Sequence, residues 1–254
     1  MDQLLEYGGL LLVGFVAGAI NAVAGGGSLI SFPALIAAGY SSKTANVTNT
    51  VALWPGYVGG SFGYREELRG QAGRLFQLSL PNIAGALVGS IVLLRTPNSA
   101  FDAVVPFLIL FACALMAFQD LLGRYTEHHR AAFEETGRMP WPVFVAMFLL
   151  GIYGAYFGAA LGIMTLAVFV VFITGNIQRL NALKGMSSLI INAIAVVWFA
   201  LFGPVRWAPA AVMAVGALSG GYLGVGVARR LGRNTLRAVV IIYGVVVAVI
   251  LLVR

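Results

Sequence analysis

The chain has 254 residues, of which 60% are hydrophobic and only 10% charged, and a formal net charge of +7. A soluble domain carries about 25% charged residues, so this composition excludes an ordinary soluble protein. A transmembrane β-barrel is excluded as well, because it would need strands of about ten residues with alternating polarity, and here the apolar runs are unbroken and about 20 residues long, enough to cross a bilayer as helices.

The N-terminal stretch MDQLLEYGG holds Asp2 and Glu6 and no Lys or Arg. A secretory signal has a cationic start and a cleavage site, so the first apolar segment is expected to remain as a membrane helix. Ten segments follow in order, at approximately 4–24, 28–40, 44–62, 76–94, 101–121, 142–161, 163–175, 181–203, 208–228 and 235–253. Segments 28–40 and 163–175 are short. Thirteen helical residues cover about 20 Å, against a hydrocarbon core of about 30 Å. Cys113 is the only cysteine and sits in an apolar run, where it reads as a small buried hydrophobe.

The two short segments occupy equivalent places. GFVAGAINAVAGGGSLISFPALIAAG from Gly14 parallels GIYGAYFGAALGIMTLAVFVVFITG from Gly151, with Gly14 against Gly151 and Gly25 against Gly162 at an offset of 137. The order of segment lengths then repeats, which predicts a tandem duplication: a first repeat over 1–122, a polar linker over 123–141 that carries His128 and His129, and a second repeat over 142–254. If each long–short pair is a hairpin returning to its starting side, the N- and C-termini lie outside. Loop 64–74, the linker, the turn holding Arg179 and loop 229–237 then lie inside, and eleven Lys and Arg residues fall inside against four outside, as the positive-inside rule asks. A single broken span per pair would put the arginines of 229–237 outside. An odd count of five segments makes the second repeat run opposite to the first, an architecture of secondary transporters.

The glycine triplet Gly25, Gly26 and Gly27 lies at the tip of the first hairpin. It permits a tight turn, with Ser28 expected as the N-cap of the short helix and Asn21 just before the break. A helix starting at mid-membrane exposes its first N–H groups and the positive end of its dipole, which together suit an anion. Gly158, Gly162 and Thr165 stand in the same places in the second half. The alternative role for these small residues is close helix packing alone. All nine carboxylates lie in loops or near segment ends, so the buried acids usual in proton pumps and cation carriers are missing. No metal or cofactor is expected, and no nucleophile–base constellation suggests an enzyme. The basic charge is assigned to cytoplasmic loops rather than to nucleic acid.

Lys184 in RLNALKGMSSLIINAIAVVWF is the charge expected within the bilayer, about 9 Å deep. It is either a complement to an anion or a side chain that snorkels to the cytoplasmic face. Asn181, Lys184, Ser188 and Asn192 form a stripe expected to face the protein interior. In the first half, Asn46, Thr48, Asn49 and Thr50 either line a substrate path or bond to neighbouring helices, and Pro55 within Trp54-Pro55-Gly56 is expected to kink that helix. Trp141, Trp198 and Trp207 read as interfacial anchors.

The stretch GFVAGAINAVAGGGSLISFPALIAAGYSSKTANVTNTVALWPGYVGGSFGYR, with its glycine cluster, Pro33, Leu35, the Gly39 turn and the polar Ala45–Thr48 helix start, resembles the sulfite exporter TauE/SafE family. The second copy, with LNALKGMSSLIINAIAV, completes a resemblance over nearly the whole chain, although LGIMT departs there from the glycine triplet. The resemblance implies a bacterial, archaeal or plant membrane protein that exports sulfite or an organosulfonate such as sulfoacetate. The expectation is therefore an inner-membrane secondary transporter with alternating access around a central site that takes a small anion. The alternative is an anion channel or lipid-handling protein without alternating access.

Overall fold

Long apolar runs bounded by Gly, Pro and polar turns form helices because, within a bilayer, the backbone must satisfy its own hydrogen bonds. A computed structural model of the protein describes residues 2–23, 25–127, 139–173, 175–231 and 233–253. Among these residues there is no strand, and ten helices are present: α1 (Asp2–Val23), α2 (Ser28–Ala37), α3 (Ser42–Gly63), α4 (Ala72–Arg95), α5 (Asn98–Glu127), α6 (Trp141–Tyr156), α7 (Leu161–Phe172), α8 (Ile177–Phe202), α9 (Trp207–Leu231) and α10 (Arg233–Val253). Four windows, Leu5–Ala22, Ala72–Arg95, Asn98–Phe118 and Ile177–Phe202, are long and apolar enough to cross a membrane. With the exposed apolar side chains of Phe76, Leu80, Phe107, Phe118, Ile242 and Ile250, they describe a multi-pass membrane protein.

Three expected boundaries move. Helix α5 continues to Glu127, beyond the boundary expected at 122, and the linker residues 128–138, His128 and His129 among them, lie outside the described residues. The expected loop 229–237 is largely helical, since α9 runs to Leu231 and α10 starts at Arg233. Trp54-Pro55-Gly56 does not interrupt α3, which is one continuous helix with Pro55 inside it.

The chain ends of these helices collect at two opposite faces. On the first, Tyr40 after α2 lies back beside the start of α1. Its phenol is pushed above its usual range by burial first and then by Glu6 and Tyr7, while Arg206 acts the other way. The Lys43 ammonium donates to the carbonyls of Leu94 and Thr96 at the end of α4, and the Arg206 N–H donates to Thr48 Oγ1 at 3.0 Å. On the second face, Gln71 Nε2 donates to the Arg179 carbonyl at 2.9 Å and the Arg179 guanidinium to the Arg69 carbonyl at 3.0 Å. This places the start of α4 beside the α7–α8 turn.

Glycine rows set the direction of the tightest pairs. A Cβ on Gly14 would meet the Met213 carbonyl and one on Gly18 the Ala217 carbonyl, each at 2.3 Å. Helices α1 and α9 therefore run the same way with backbones touching. Gly85 faces Phe148 and Gly89 faces Ile152, each with 2.2 Å from the built Cβ to the carbonyl oxygen, so α4 and α6 are parallel as well. Helix α6 thus starts on the second face, where α7 ends, whereas α1 starts on the first face, to which α2 returns. The hairpins α1–α2 and α6–α7 enter from opposite faces and touch at their tips: a Cβ on Gly25 would lie 2.7 Å from Gly162 Cα.

The packing partners come in matched sets. Helix α1 packs on α9 and α6 on α4; α3 packs on α9 and α8 on α4; α5 packs on α7 and α10 on α2; α3 meets α8 and α5 meets α10. One apolar core runs through both halves and includes Leu29, Phe32, Phe157, Leu161 and Phe199. At the junction of the hairpins, the Phe32 and Phe157 rings meet edge to face at 5.5 Å. Cys113 is buried, with its sulfur against Gly244.

Candidate substrate site between the hairpin tips

The first tip is built by Asn21, in the last turn of α1. The chain leaves α1 through Gly25, whose φ of +79° lies in the left-handed region, where a Cβ costs about 1–2 kcal/mol. The Gly25 N–H returns to the Ile20 carbonyl at 3.0 Å. The Gly27 N–H donates to Asn21 Oδ1 at 2.8 Å. Gly27, not Ser28, takes the N-cap position of α2 and no side chain caps that helix. Ser28 is the first helical residue, and the Ile30 and Ser31 amides that its side chain would have capped donate to the Gly27 carbonyl instead. The expectation that the break leaves the tip donors unpaired is corrected at the Gly25 and Gly27 amides, at those of Leu29, Ile30 and Ser31, which donate to the Gly26 and Gly27 carbonyls, and in the second half at those of Leu161, Ile163 and Met164, which donate to the Gly158 and Ala160 carbonyls.

The second tip turns differently. The N–H groups of Phe157 and Gly158 both donate to the Tyr153 carbonyl, Gly158 has φ +75°, and Ala160, the N-cap of α7, has φ +59°. Tyr153 Oη fixes this turn by donating to the Ala159 carbonyl at 2.7 Å.

Where the tips meet, a cavity of about 20 Å³ is enclosed by α1, α3, α7 and α8, which is room for about one water molecule. Of the predicted residues, Asn21, Gly25, Gly162, Asn181, Lys184 and Ser188 line it. Lys184 is only 3% exposed, and its Cδ and Cε would lie 3.5 and 3.7 Å from a Cβ on Gly162. The side chain is thus held inside the protein and does not snorkel to a face. Asn21 is 5% exposed, and its Nδ2 has no hydrogen-bond partner among the described residues. The interior stripe on α8 is present: Ser188 and Asn192 are buried, and Asn192 Nδ2 donates to the Ser188 carbonyl at 2.8 Å.

The other predicted residues lie elsewhere. Gly26, Gly27, Ser28, Gly158 and Thr165 belong to the tips and their helices, and Asn192 to α8, but all six are outside the cavity wall. The polar start of α3 is also outside it. Asn46 Nδ2 donates to the Tyr156 carbonyl, Thr48 accepts from Arg206, and Thr50 Oγ1 donates back to the Asn46 carbonyl. These three groups bond to backbone, as the packing alternative expects, while Asn49 Oδ1 and Thr165 Oγ1 are buried without a partner among the described residues. The lining contributed by α3 was missed in the sequence: Tyr57, Gly60, Ser61 and Tyr64. Their spacing of three and four residues puts them on one helical face, a signal that small residues beside tyrosines make easy to overlook.

No Asp or Glu lines the cavity. Its wall offers amide and hydroxyl donors, one ammonium and the N-terminal end of α7 at Gly162, with the α2 hairpin in contact at Gly25. Helix N-termini carry partial positive charge, so field and donors favour an anion. Among the described residues there is no cluster of three or more His, Cys, Asp or Glu side chains.

The chain is similar over most of its length to several bacterial proteins. It is 28% identical over 234 residues to a probable membrane transporter protein of Haemophilus influenzae, covering 92% of this chain and 89% of that one. It is 24% identical over 244 residues to the probable membrane transporter protein ORF9 of a Sinorhizobium species, with 96% and 91% covered. It is 25% identical over 249 residues to the probable membrane transporter protein YfcA of Escherichia coli K12, with 98% and 90% covered. No solved structure matches. Residues 10–251 match the family model described as sulfite exporter TauE/SafE, and the chain belongs to that family.

Proposed function

We propose that the protein is a secondary transporter that exports a small sulfur-containing oxyanion, sulfite or an organosulfonate such as sulfoacetate, by alternating access around the cavity at the hairpin tips. The observation that carries this reading is the buried Lys184 ammonium beside two short-helix hairpins that meet end to end, in a cavity without carboxylates. An ammonium, amide and hydroxyl groups and a helix N-terminus gathered in one wall suit an anion. Family membership supports transport, and the names of the relatives agree with it.

The matched packing partners and the hairpins entering from opposite faces support a duplicated and inverted architecture. In the proposed orientation, the second face is cytoplasmic in the inner membrane, and both termini are outside. Expelling an anion is then downhill by about 2.3 kcal/mol per charge per 100 mV, so no coupling ion is required. The cavity holds about one water, and a sulfur oxyanion is larger, so binding must part the walls. That favours a carrier over an open anion channel.

The test is a thermal-shift screen of detergent-purified protein with sulfite, sulfate, sulfoacetate, taurine and thiosulfate against matched chloride salts. A ligand bound only by the folded state raises Tm, and the rise grows with the logarithm of its concentration above Kd. Selective stabilisation by one sulfur oxyanion is expected. Stabilisation by a lipid or a cation instead would overturn the proposal.

A further inference from the structure

Two sets of contacts, one toward each face, flank the central cavity and are built alike. On the second face, the segment joining α3 to α4 is tied to the first turn of α8. Asn181 Nδ2 donates to Tyr64 Oη at 2.9 Å, Gln71 Nε2 donates to the Arg179 carbonyl at 2.9 Å, and the Arg179 guanidinium donates to the Arg69 carbonyl at 3.0 Å. Tyr64 and Asn181 are also in the cavity wall, whereas Arg69 and Arg179 are exposed. The bonds therefore lie at both levels, one at the cavity wall and two nearer the surface. On the first face, the segment joining α8 to α9 is tied to the start of α3: the Arg206 N–H donates to Thr48 Oγ1 at 3.0 Å, and a Cβ on Gly203 would lie 3.1 Å from Val47 Cγ1. In each case the loop that follows the third helix of one half is fastened to the first turns of the third helix of the other half.

We propose that these contacts are the two gates of the transporter. In the inner gate Tyr64 and Asn181 bar the cavity, and Gln71 and Arg179 strap the 64–71 loop across it; Thr48 and Arg206 form the outer gate. The inference rests on the transport reading given above and adds which residues control access from each side. The chemistry of the gates differs. In the inner gate the Asn181, Gln71 and Arg179 side chains donate to Tyr64 Oη and to two backbone carbonyls. The outer gate uses a backbone amide and apolar contact.

The gates can be tested without a substrate. In a Cys113→Ala background, Ser61→Cys places a thiol in the cavity wall, and its reaction with a charged, membrane-impermeant maleimide is followed in proteoliposomes sorted by orientation. Tyr64→Phe removes the acceptor of the inner bar, and Gln71→Ala removes the strap at a residue that does not line the cavity. Each is expected to raise labelling from the second face about fivefold, the shift that loss of one net hydrogen bond allows, with labelling from the first face unchanged. Thr48→Val is expected to do the reverse. Two variants at the inner gate keep the test decisive if one fails to fold, as judged by size-exclusion chromatography. Unchanged labelling in Gln71→Ala and Tyr64→Phe, or a rise equal from both faces, overturns the gates. Face-selective labelling with no oxyanion effect in the thermal-shift screen would keep the gates and overturn the substrate.

Discussion

At the residue scale, Lys184 separates the electrostatic reading of the site from a packing one. Its stem lies against Gly162 and its side chain is buried. A bound anion would accept a charge-assisted hydrogen bond from its ammonium. Lys184→Met keeps most of the stem and removes the charge. The expected outcome is loss of at least about tenfold in oxyanion affinity, since a charge-assisted hydrogen bond contributes about 1.5–3 kcal/mol. Calorimetric titration of both proteins checks this, and undiminished oxyanion binding in Lys184→Met would remove the ammonium from the site. The sequence revealed this residue because a lysine in an apolar run is conspicuous. It did not reveal Tyr64 or Ser61, whose place in the wall depends on how α3 is rotated against α8. Nor did it reveal that Asn21 holds the Gly27 amide, because that bond joins two helices across a turn.

At the element scale, hydropathy located all ten helices, and the errors lie at their ends. The apolar run of the eighth segment begins at 181, but α8 starts at Ile177, next to the start near Gln178 that sets the depth of Lys184, because Asn176 Oδ1 accepts the Gln178 N–H and caps the helix before polar residues that a hydropathy reading assigns to a turn. Parallel contact between helices was not legible, since glycine rows could serve either packing or turns. In the structure the rows on α4 lie against the α6 backbone, as small residues permit in membranes. Gly89→Ala sets a methyl 2.2 Å from the Ile152 carbonyl, with backbone on both sides. Overpacking of this kind costs about 1–3 kcal/mol. Gly73→Ala, where nothing lies within 4 Å, is the control and should be neutral or slightly stabilising by helix propensity. Denaturation in mild detergent should therefore show a clear fall in Tm for the first variant and none for the second; equal Tm values would mean that α4 and α6 are not in backbone contact.

At the scale of the whole molecule, packing relates the two faces to one another but does not say which is cytoplasmic; charge does. Helix α9 runs parallel to α1 and so ends on the second face, which brings the arginines at 229, 230, 233 and 237 to the side that already holds Arg65, Arg69, Arg74 and Arg179. The first face carries Lys43, Arg95 and Arg206. Lys and Arg in short loops are retained on the cytoplasmic side, so the second face is expected to be cytoplasmic. In a Cys113→Ala background, Ser99→Cys and Glu66→Cys place exposed thiols on the first and second faces. An impermeant maleimide added to intact cells is expected to label the cysteine at 99, and to label that at 66 only after permeabilisation. The reverse pattern would turn the molecule over. The anion gradient argument would then have to be redrawn as uptake against the potential, and the carrier would need a coupling cation that the acid-free cavity does not obviously hold. The orientation measurement thus decides between a uniporter driven by the membrane potential and a coupled importer, using two cysteines far from the site.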